Sequence, residues 1–145
     1  MYDAILVPTD GSTGTARTLD HALSIAADNE ATLYVLYVLD NRQYRAAAPE
    51  TKEEVIGSLR EEGERALEDA AVRARDAGVE VVTELRQGIP HKDIIEYADE
   101  ADIDLIAMGT HGRTGRDRIA TLGSVTQRVV QNGDRPVLVV NIGGE

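Results

Sequence analysis

The stretch DLIAMGTHGRTGRDRIATLGSVTQRVV, residues 104–130, decides the fold. It begins with a short apolar run, continues through a polar segment rich in glycine and arginine, and ends in an apolar-periodic segment that starts at Ser124. This order is typical of a strand, a glycine-rich loop and a helix start, where close backbone approach and free amides can hold a phosphate. The alternative is an ordinary strand-to-helix connection. The glycines are Gly109, Gly112, Gly115 and Gly123.

The rest of the chain continues this alternation of strands and helices. Short apolar or β-branched runs predict strands over residues 4–7, 31–39, 79–85, 104–108 and 136–142. Helical periodicity predicts one helix capped by Ser12 or Thr13 and reaching about Asn29, and a second over about residues 51–77. A third helix is expected to start at Pro90 and a fourth at Ser124.

Five strands alternating with four helices imply a parallel, doubly wound α/β sheet with right-handed crossovers. Ligands bind to such sheets at the carboxyl ends of the strands, where the strand order reverses. The first and fourth strands are apolar throughout, so we expect them at the centre of the sheet. The turn at residues 9–11 and the loop at residues 109–123 should therefore face each other across a crevice.

Several local features follow from side-chain patterns. The long helix has a small inner face that includes Gly63, so it should lie close against the sheet, and Gly78 should end it. The polar segment at residues 40–50 is expected to be a loop. Ser124 and Gln127 are expected to form a capping box at the start of the last helix. The residues of that helix expected to face inward are Val125, Val129 and Val130.

Composition limits the class of protein. A chain of 145 residues is expected to form one domain, residues 1–145, with a sizeable core. It has no cysteine, which excludes disulfides and thiolate metal sites. The N-terminus does not resemble a signal peptide, and no apolar run has the length of a membrane span. We therefore expect a cytoplasmic protein.

The charge is strongly acidic. The net charge is -11, with 26 acidic residues against 15 basic ones, so the surface repels nucleic-acid backbones. Only two of the basic residues are lysines, Lys52 and Lys92. Such a surface resembles that of proteins from salt-loving organisms, and the alternative is simply a soluble acidic protein.

Basic and hydroxyl side chains at the loop could contact a phosphate. Arg113 directly follows Gly112 and is the first candidate, while Arg116 and Arg118 could equally face solvent. The hydroxyl of Ser124 could cap the helix or bind a phosphate oxygen.

Other residues at the crevice have two interpretations as well. Asp10 follows the first strand and could bond its own turn or accept from a hydroxyl or amino group of a nucleoside. His111 is the only histidine in the loop. The sequence has no Walker A motif and no G-x-G-x-x-G motif, and it shows no arrangement typical of a Ser-His-Asp triad. It therefore favours binding over catalysis.

These segments resemble the universal stress protein family along nearly the whole chain. The matching stretches are ILVPTDGS, YVLYVLD, GIPHKDII, DLIAMGTHGRTG, GSVTQRVV and RPVLVV. The loop is similar to the nucleotide signature of the family's ATP-binding branch, carried here by Gly109, Gly112, Gly123 and Ser124. The resemblance implies an adenine nucleotide alpha hydrolase-like fold with strand order 3-2-1-4-5. One departure is that ten residues separate Gly112 from Gly123, one more than is usual in the family.

The resemblance also implies a set of ligand-binding residues, with ATP, alone or with Mg²⁺, as the ligand. It implies no catalytic residue and no protein metal site. The pocket for adenine and ribose would include Pro8, Thr9, Asp10, Val38, Met108 and Gly109. The phosphates would be held by Gly112, Arg113, Gly123, Ser124, Val125 and Thr126.

The last strand supports a further expectation. Residues 137–140 are apolar on both faces, yet this strand should lie at a sheet edge, where bare apolar backbone invites pairing. Family members pair this strand across a two-fold axis, which implies a homodimer.

Three functions remain open from the sequence. The first is a dimeric, nucleotide-sensing regulator in the stress response that binds ATP. The second is a slow ATPase, for which Asp10 or a metal-bound water would have to activate the attacking water. The third is a dimeric interaction module without a nucleotide, which the extra loop residue favours.

Overall fold

The computed structural model describes residues 2–11, 14–110 and 122–142. Five strands and four α-helices alternate in these ranges. The strands are β1 (Ala4–Thr9), β2 (Thr32–Asp40), β3 (Val81–Gly88), β4 (Leu105–Gly109) and β5 (Val137–Val140). The helices are α1 (Gly14–Asn29), α2 (Pro49–Asp76), α3 (Pro90–Glu100) and α4 (Ser124–Asn132).

All five strands run parallel in one sheet, in the order β3-β2-β1-β4-β5. This confirms the predicted doubly wound α/β fold. The helices α1 and α2 cover one face of the sheet, and α3 and α4 cover the other. Because neighbouring residues of a strand point to opposite faces, β1 supplies Ile5 and Val7 to the first core and Leu6 to the second. All three side chains are fully buried, which explains why this strand is apolar throughout.

Several elements begin or end at slightly different residues from those that the sequence pattern predicts. β3 pairs with β2 over eight residues, from Val81 to Gly88. It therefore extends beyond the end predicted at residue 85. The predicted loop at residues 40–50 contains a 3₁₀ turn, Asn41–Gln43, because the Asp40 carboxylate accepts from the Arg42 amide. α2 begins at Pro49, at the helix position where proline is preferred. Gly78 follows α2 with φ of 74°, as expected of a C-terminal glycine.

The start of α4 corrects two predictions. Ser124 is the first residue of the helix, and Gly123 is its N-cap, without a side-chain cap hydrogen bond. The Gln127 amide donates to the Gly123 carbonyl at 2.9 Å, so the capping box between Ser124 and Gln127 is wrong. The physical reason is that the helix begins one residue earlier than a Ser124 cap would require, so Ser124 is the first helical residue rather than the cap. Val129 faces the core as predicted, but Val130 is 45% exposed, because the buried positions are Thr126 and Val129, one turn apart.

Two further expectations concern the start of α1 and membrane-spanning helices. The cap expected from Ser12 or Thr13 lies outside the described residues. Within the described ranges, no helix combines the length and the apolar character that crossing a membrane requires.

Candidate functional site

A cavity of about 340 Å³ opens at the carboxyl ends of β1, β2 and β4. This is the point where the strand order reverses, since β1 leads through α1 to β2 on one side and has β4 on its other side. The volume lies within the range of small-molecule sites. Both faces of the sheet and the starts of α1, α3 and α4 contribute to its wall.

The structure brings ten of the twelve sequence-predicted site residues to the wall of this cavity. The turn after β1 and the start of α4 line it together, as the crevice argument expected. Gly112 and Arg113 lie outside the described residues, as do His111, Arg116 and Arg118. The ten are Pro8, Thr9, Asp10, Val38, Met108, Gly109, Gly123, Ser124, Val125 and Thr126.

The start of α4 offers backbone amides to the cavity. The first amides of a helix have no acceptor within it, so those of Ser124, Val125 and Thr126 are available to an anion. The Thr126 hydroxyl is used differently, since it donates to the Gly109 carbonyl at 2.9 Å. Thr126 is therefore suited to hold an anion through its amide, while its side chain ties α4 to the end of β4.

Thr110 joins three parts of the site. Its carbonyl accepts from the Gly123 amide at 2.7 Å, which holds the two ends of the glycine-rich segment together. Its own amide donates to the Val140 carbonyl at 2.9 Å, and its hydroxyl accepts from the Ile142 amide at 3.3 Å. The segment after β5 is thereby held beside the cavity, and Ile142 becomes part of its wall.

Gly14 and Ile142 line the cavity but were not predicted from the sequence. A Cβ at Gly14 would collide with the end of the Ile142 side chain, which could keep its present position only beside a glycine. The two residues are far apart in the chain, and no local pattern signals that they meet.

Apolar side chains on the α3 and α4 side can hold a flat ring. Leu36, Ile94 and Met108 belong to the core on this face and also line the cavity, with Pro8 and Val38 beside them. An apolar wall next to a helix start suits a ligand with an uncharged ring and an anionic tail.

Asp40 and Arg42 form a charged pair on the cavity wall. Arg42 donates from Nε to Oδ1 of Asp40 at 2.9 Å and from Nη2 to Oδ2 at 2.6 Å. This hydrogen bonding lowers the pKa of the Asp40 carboxyl and raises the pKa of the Arg42 guanidinium. The sequence analysis missed the pair, although Asp40 is the last residue of β2 and directly follows the strand predicted at residues 31–39, so the strand-end rule that selected Asp10 would have found it.

Basic groups gather at the start of α3. Burial lowers the pKa of His91, and the positive charges of Arg128, Lys92 and Arg42 lower it further. Of these basic groups, Arg42 lines the cavity, where it is paired with Asp40. In the described part of the chain, no three His, Cys, Asp or Glu side chains converge to hold a metal ion.

Fold and cavity together define an α/β protein of the doubly wound class with a ligand cleft at its switch point. The sequence profile of the Universal stress protein family matches residues 1–141. The chain belongs to this family.

Individual relatives agree over almost the whole chain. Universal stress protein MJ0531 of Methanocaldococcus jannaschii is 41% identical over 141 residues, which cover 97% of this chain and 82% of the relative. The structure of protein MJ0577 from the same organism is 33% identical with a TM-score of 0.87, covering 97% of this chain and 96% of the other.

Two relatives were solved with adenine nucleotides. The Archaeoglobus fulgidus universal stress protein in complex with dAMP is 28% identical with a TM-score of 0.71, covering 95% of this chain and 97% of that one. A universal stress protein in complex with cAMP is also 28% identical, with a TM-score of 0.68 and coverages of 97% and 98%.

Proposed function

We propose that this protein binds ATP in the cavity at the strand ends and acts as a nucleotide-sensing regulator in the stress response. The observation that carries the proposal is the meeting of an apolar wall and the free amides of α4 in one cavity. The relatives that bind dAMP and cAMP support an adenine nucleotide as the ligand class. The free amides at the start of α4 support an anionic one.

The chemistry of the wall suggests how ATP would lie. The adenine packs on the apolar side chains near Val38 and Met108, and the ribose lies between Asp10 and Gly109. The phosphates reach the start of α4 at Ser124, with Gly112 and Arg113 completing the set by resemblance. Mg²⁺ would enter with the phosphates, since this ion usually keeps several waters and binds few protein groups.

The direct test is to ask which nucleotide the purified protein carries and binds. Heat-denatured protein is expected to release an adenine nucleotide that ion-exchange chromatography identifies, and calorimetry is expected to show ATP binding. ADP accumulating in the same samples at a rate that Asp10→Ala abolishes would favour the slow ATPase. No released nucleotide and no heat of ATP binding would remove the proposal and leave a dimeric interaction module.

The edge strand β5 supports a homodimer. Among the described strands it pairs with β4 alone, and its residues from Val137 to Val139 are partly buried. Hydrogen bonds from β4 and the residue after it reach the carbonyls of Pro136 and Val140. Since backbone groups alternate sides along a strand, those of Val137 and Val139 point away from β4, where a second copy of β5 could pair with them.

Val139→Pro is expected to make the protein monomeric in light scattering or sedimentation. The substitution removes an outward amide without touching the bonds to β4, and proline is tolerated at such edge positions. Val139→Thr keeps the amide and the β-branched shape, so it should stay dimeric. Equal dimer fractions in the proline variant and the unmodified protein would contradict pairing through β5.

We also propose that the acidic surface is an adaptation to high salt. Two chains of net charge -11 repel each other, so KCl should raise the dimer fraction of the unmodified protein. A dimer fraction independent of KCl would contradict the salt adaptation.

A further inference from the structure

Two threonine hydroxyls meet on the cavity wall. Thr9 ends β1 and Thr15 lies in the first turn of α1, and their Oγ1 atoms are 3.0 Å apart. Both residues line the cavity. Thr9 is buried, with 7% of its surface exposed, whereas Thr15 is half-buried.

Counting protons shows that this pair has one hydrogen-bond donor to spare. The Gly11 amide already donates to Thr9 Oγ1 at 3.0 Å. If Thr9 in turn donates to Thr15, a chain runs in one direction from amide to hydroxyl to hydroxyl, an arrangement in which each bond polarises the next. The last proton is then on Thr15, the more exposed member, and it has no acceptor within the described ranges.

Thr18 provides the contrast one turn further along α1. It also lines the cavity, but its hydroxyl donates to the Gly14 carbonyl at 3.3 Å. Its proton is therefore already used, whereas the Thr9–Thr15 pair has a proton available for a ligand.

Asp10 limits which ligand atom can accept this proton. It directly follows Thr9 and lines the same cavity, so its negative charge disfavours a phosphate oxygen beside the pair. A carboxylate accepts several hydrogen bonds at once. The group that suits both neighbours is a neutral hydroxyl, which accepts from Thr15 and donates to Asp10.

We infer that the Thr9–Thr15 pair donates a hydrogen bond to a ribose hydroxyl of the nucleotide, and that this bond selects ligands that retain the hydroxyl. The inference rests on the proposed function and adds to it a discrimination between ribose and deoxyribose forms. Thr15 donates the hydrogen bond to the ribose hydroxyl, and Thr9 orients the hydroxyl group of Thr15.

The experiment compares three variants in calorimetric titrations with ATP, 2′-deoxy-ATP and 3′-deoxy-ATP. Thr15→Val removes the hydroxyl at nearly constant shape, and Thr15→Ser restores it. Thr32→Val is the matched control, because it removes a threonine hydroxyl at the first residue of β2, outside the residues that line the cavity. Thermal unfolding of each variant checks that the fold is kept.

We expect Thr15→Val to bind ATP about threefold to tenfold more weakly, the loss of one neutral hydrogen bond. The unmodified protein should disfavour one deoxy analogue by at least this factor, and Thr15→Val should reduce that discrimination by about threefold to tenfold, leaving only the part due to Asp10. Thr15→Ser should restore the discrimination, and Thr32→Val should stay within about twofold of the unmodified protein.

Two results would overturn the inference while nucleotide binding itself persists. One is equal ATP affinity in Thr15→Val and Thr32→Val. The other is a loss in Thr15→Val that is the same for ATP and both deoxy analogues, which would show that Thr15 only supports the turn. If the unmodified protein binds none of the three nucleotides, the proposed function fails, and this inference fails with it.

Discussion

Replacing Ser124 with proline is expected to weaken ATP binding about a hundredfold or more while leaving adenosine binding unchanged. The substitution removes the two groups of residue 124 that we propose as donors to the phosphates, the hydroxyl and the backbone amide. A hydrogen bond to a charged group contributes about 1.5–3 kcal/mol, so the loss of two exceeds a hundredfold in affinity. Calorimetric titration with ATP and with adenosine measures both effects.

The backbone at this position accepts proline without rearrangement. Ser124 is the first residue of α4, the helix position where proline is favoured. Gly123 before it has φ of -60° and ψ of 154°, the extended conformation that residues preceding a proline adopt. The helix should therefore remain, and the change should be confined to the donors.

Ser124→Ala separates the two donors. It removes only the hydroxyl and should weaken ATP binding about tenfold. If alanine and proline variants bind ATP equally, the amide of residue 124 does not contact the phosphates. If the proline variant also loses adenosine, the substitution has disturbed the fold, and circular dichroism would show the loss of helix.

Gly63→Ala is expected to destabilise the protein by about 1–3 kcal/mol, the usual cost of overpacking a core. A Cβ at Gly63 would lie 2.7 Å from Cδ1 of Tyr37 and 2.8 Å from Cδ1 of Leu85. Both neighbours are held in the sheet, so they cannot move away without disturbing the packing of α2 on β2 and β3. Urea unfolding at equilibrium measures the change in the free energy of unfolding.

Gly57→Ala on the same helix provides the matched control. Gly57 is exposed, and a Cβ there meets nothing within 4 Å. Alanine should therefore stabilise the protein by about 0.5–1 kcal/mol through its higher helix propensity. A gain in stability for both alanine variants would show that α2 does not pack against Tyr37 as closely as described.

Much of the site was predictable because it follows from the strand-end rule. The rule needs only the end of each strand, and strand ends are marked locally by the change from apolar to polar residues. It placed Asp10 and Gly109 correctly at the cavity and would have placed Asp40 there too. The role of Ser124 was harder to predict, because a shift of one residue in the start of α4 changes a capping side chain into one that lines the cavity.

The sequence alone determined the alternation of strands and helices and, through it, the parallel sheet and the position of the cleft. These follow from apolar periodicity and chain direction, which are local properties. The tertiary structure decided which side chains complete the cleft, as Ile142 does by filling the space that Gly14 leaves open. It also decided which hydroxyl groups form hydrogen bonds with each other, because the Thr9–Thr15 pair forms only when β1 and α1 meet. Contacts between elements depend on distances that no local pattern encodes, and for this reason they required the folded chain.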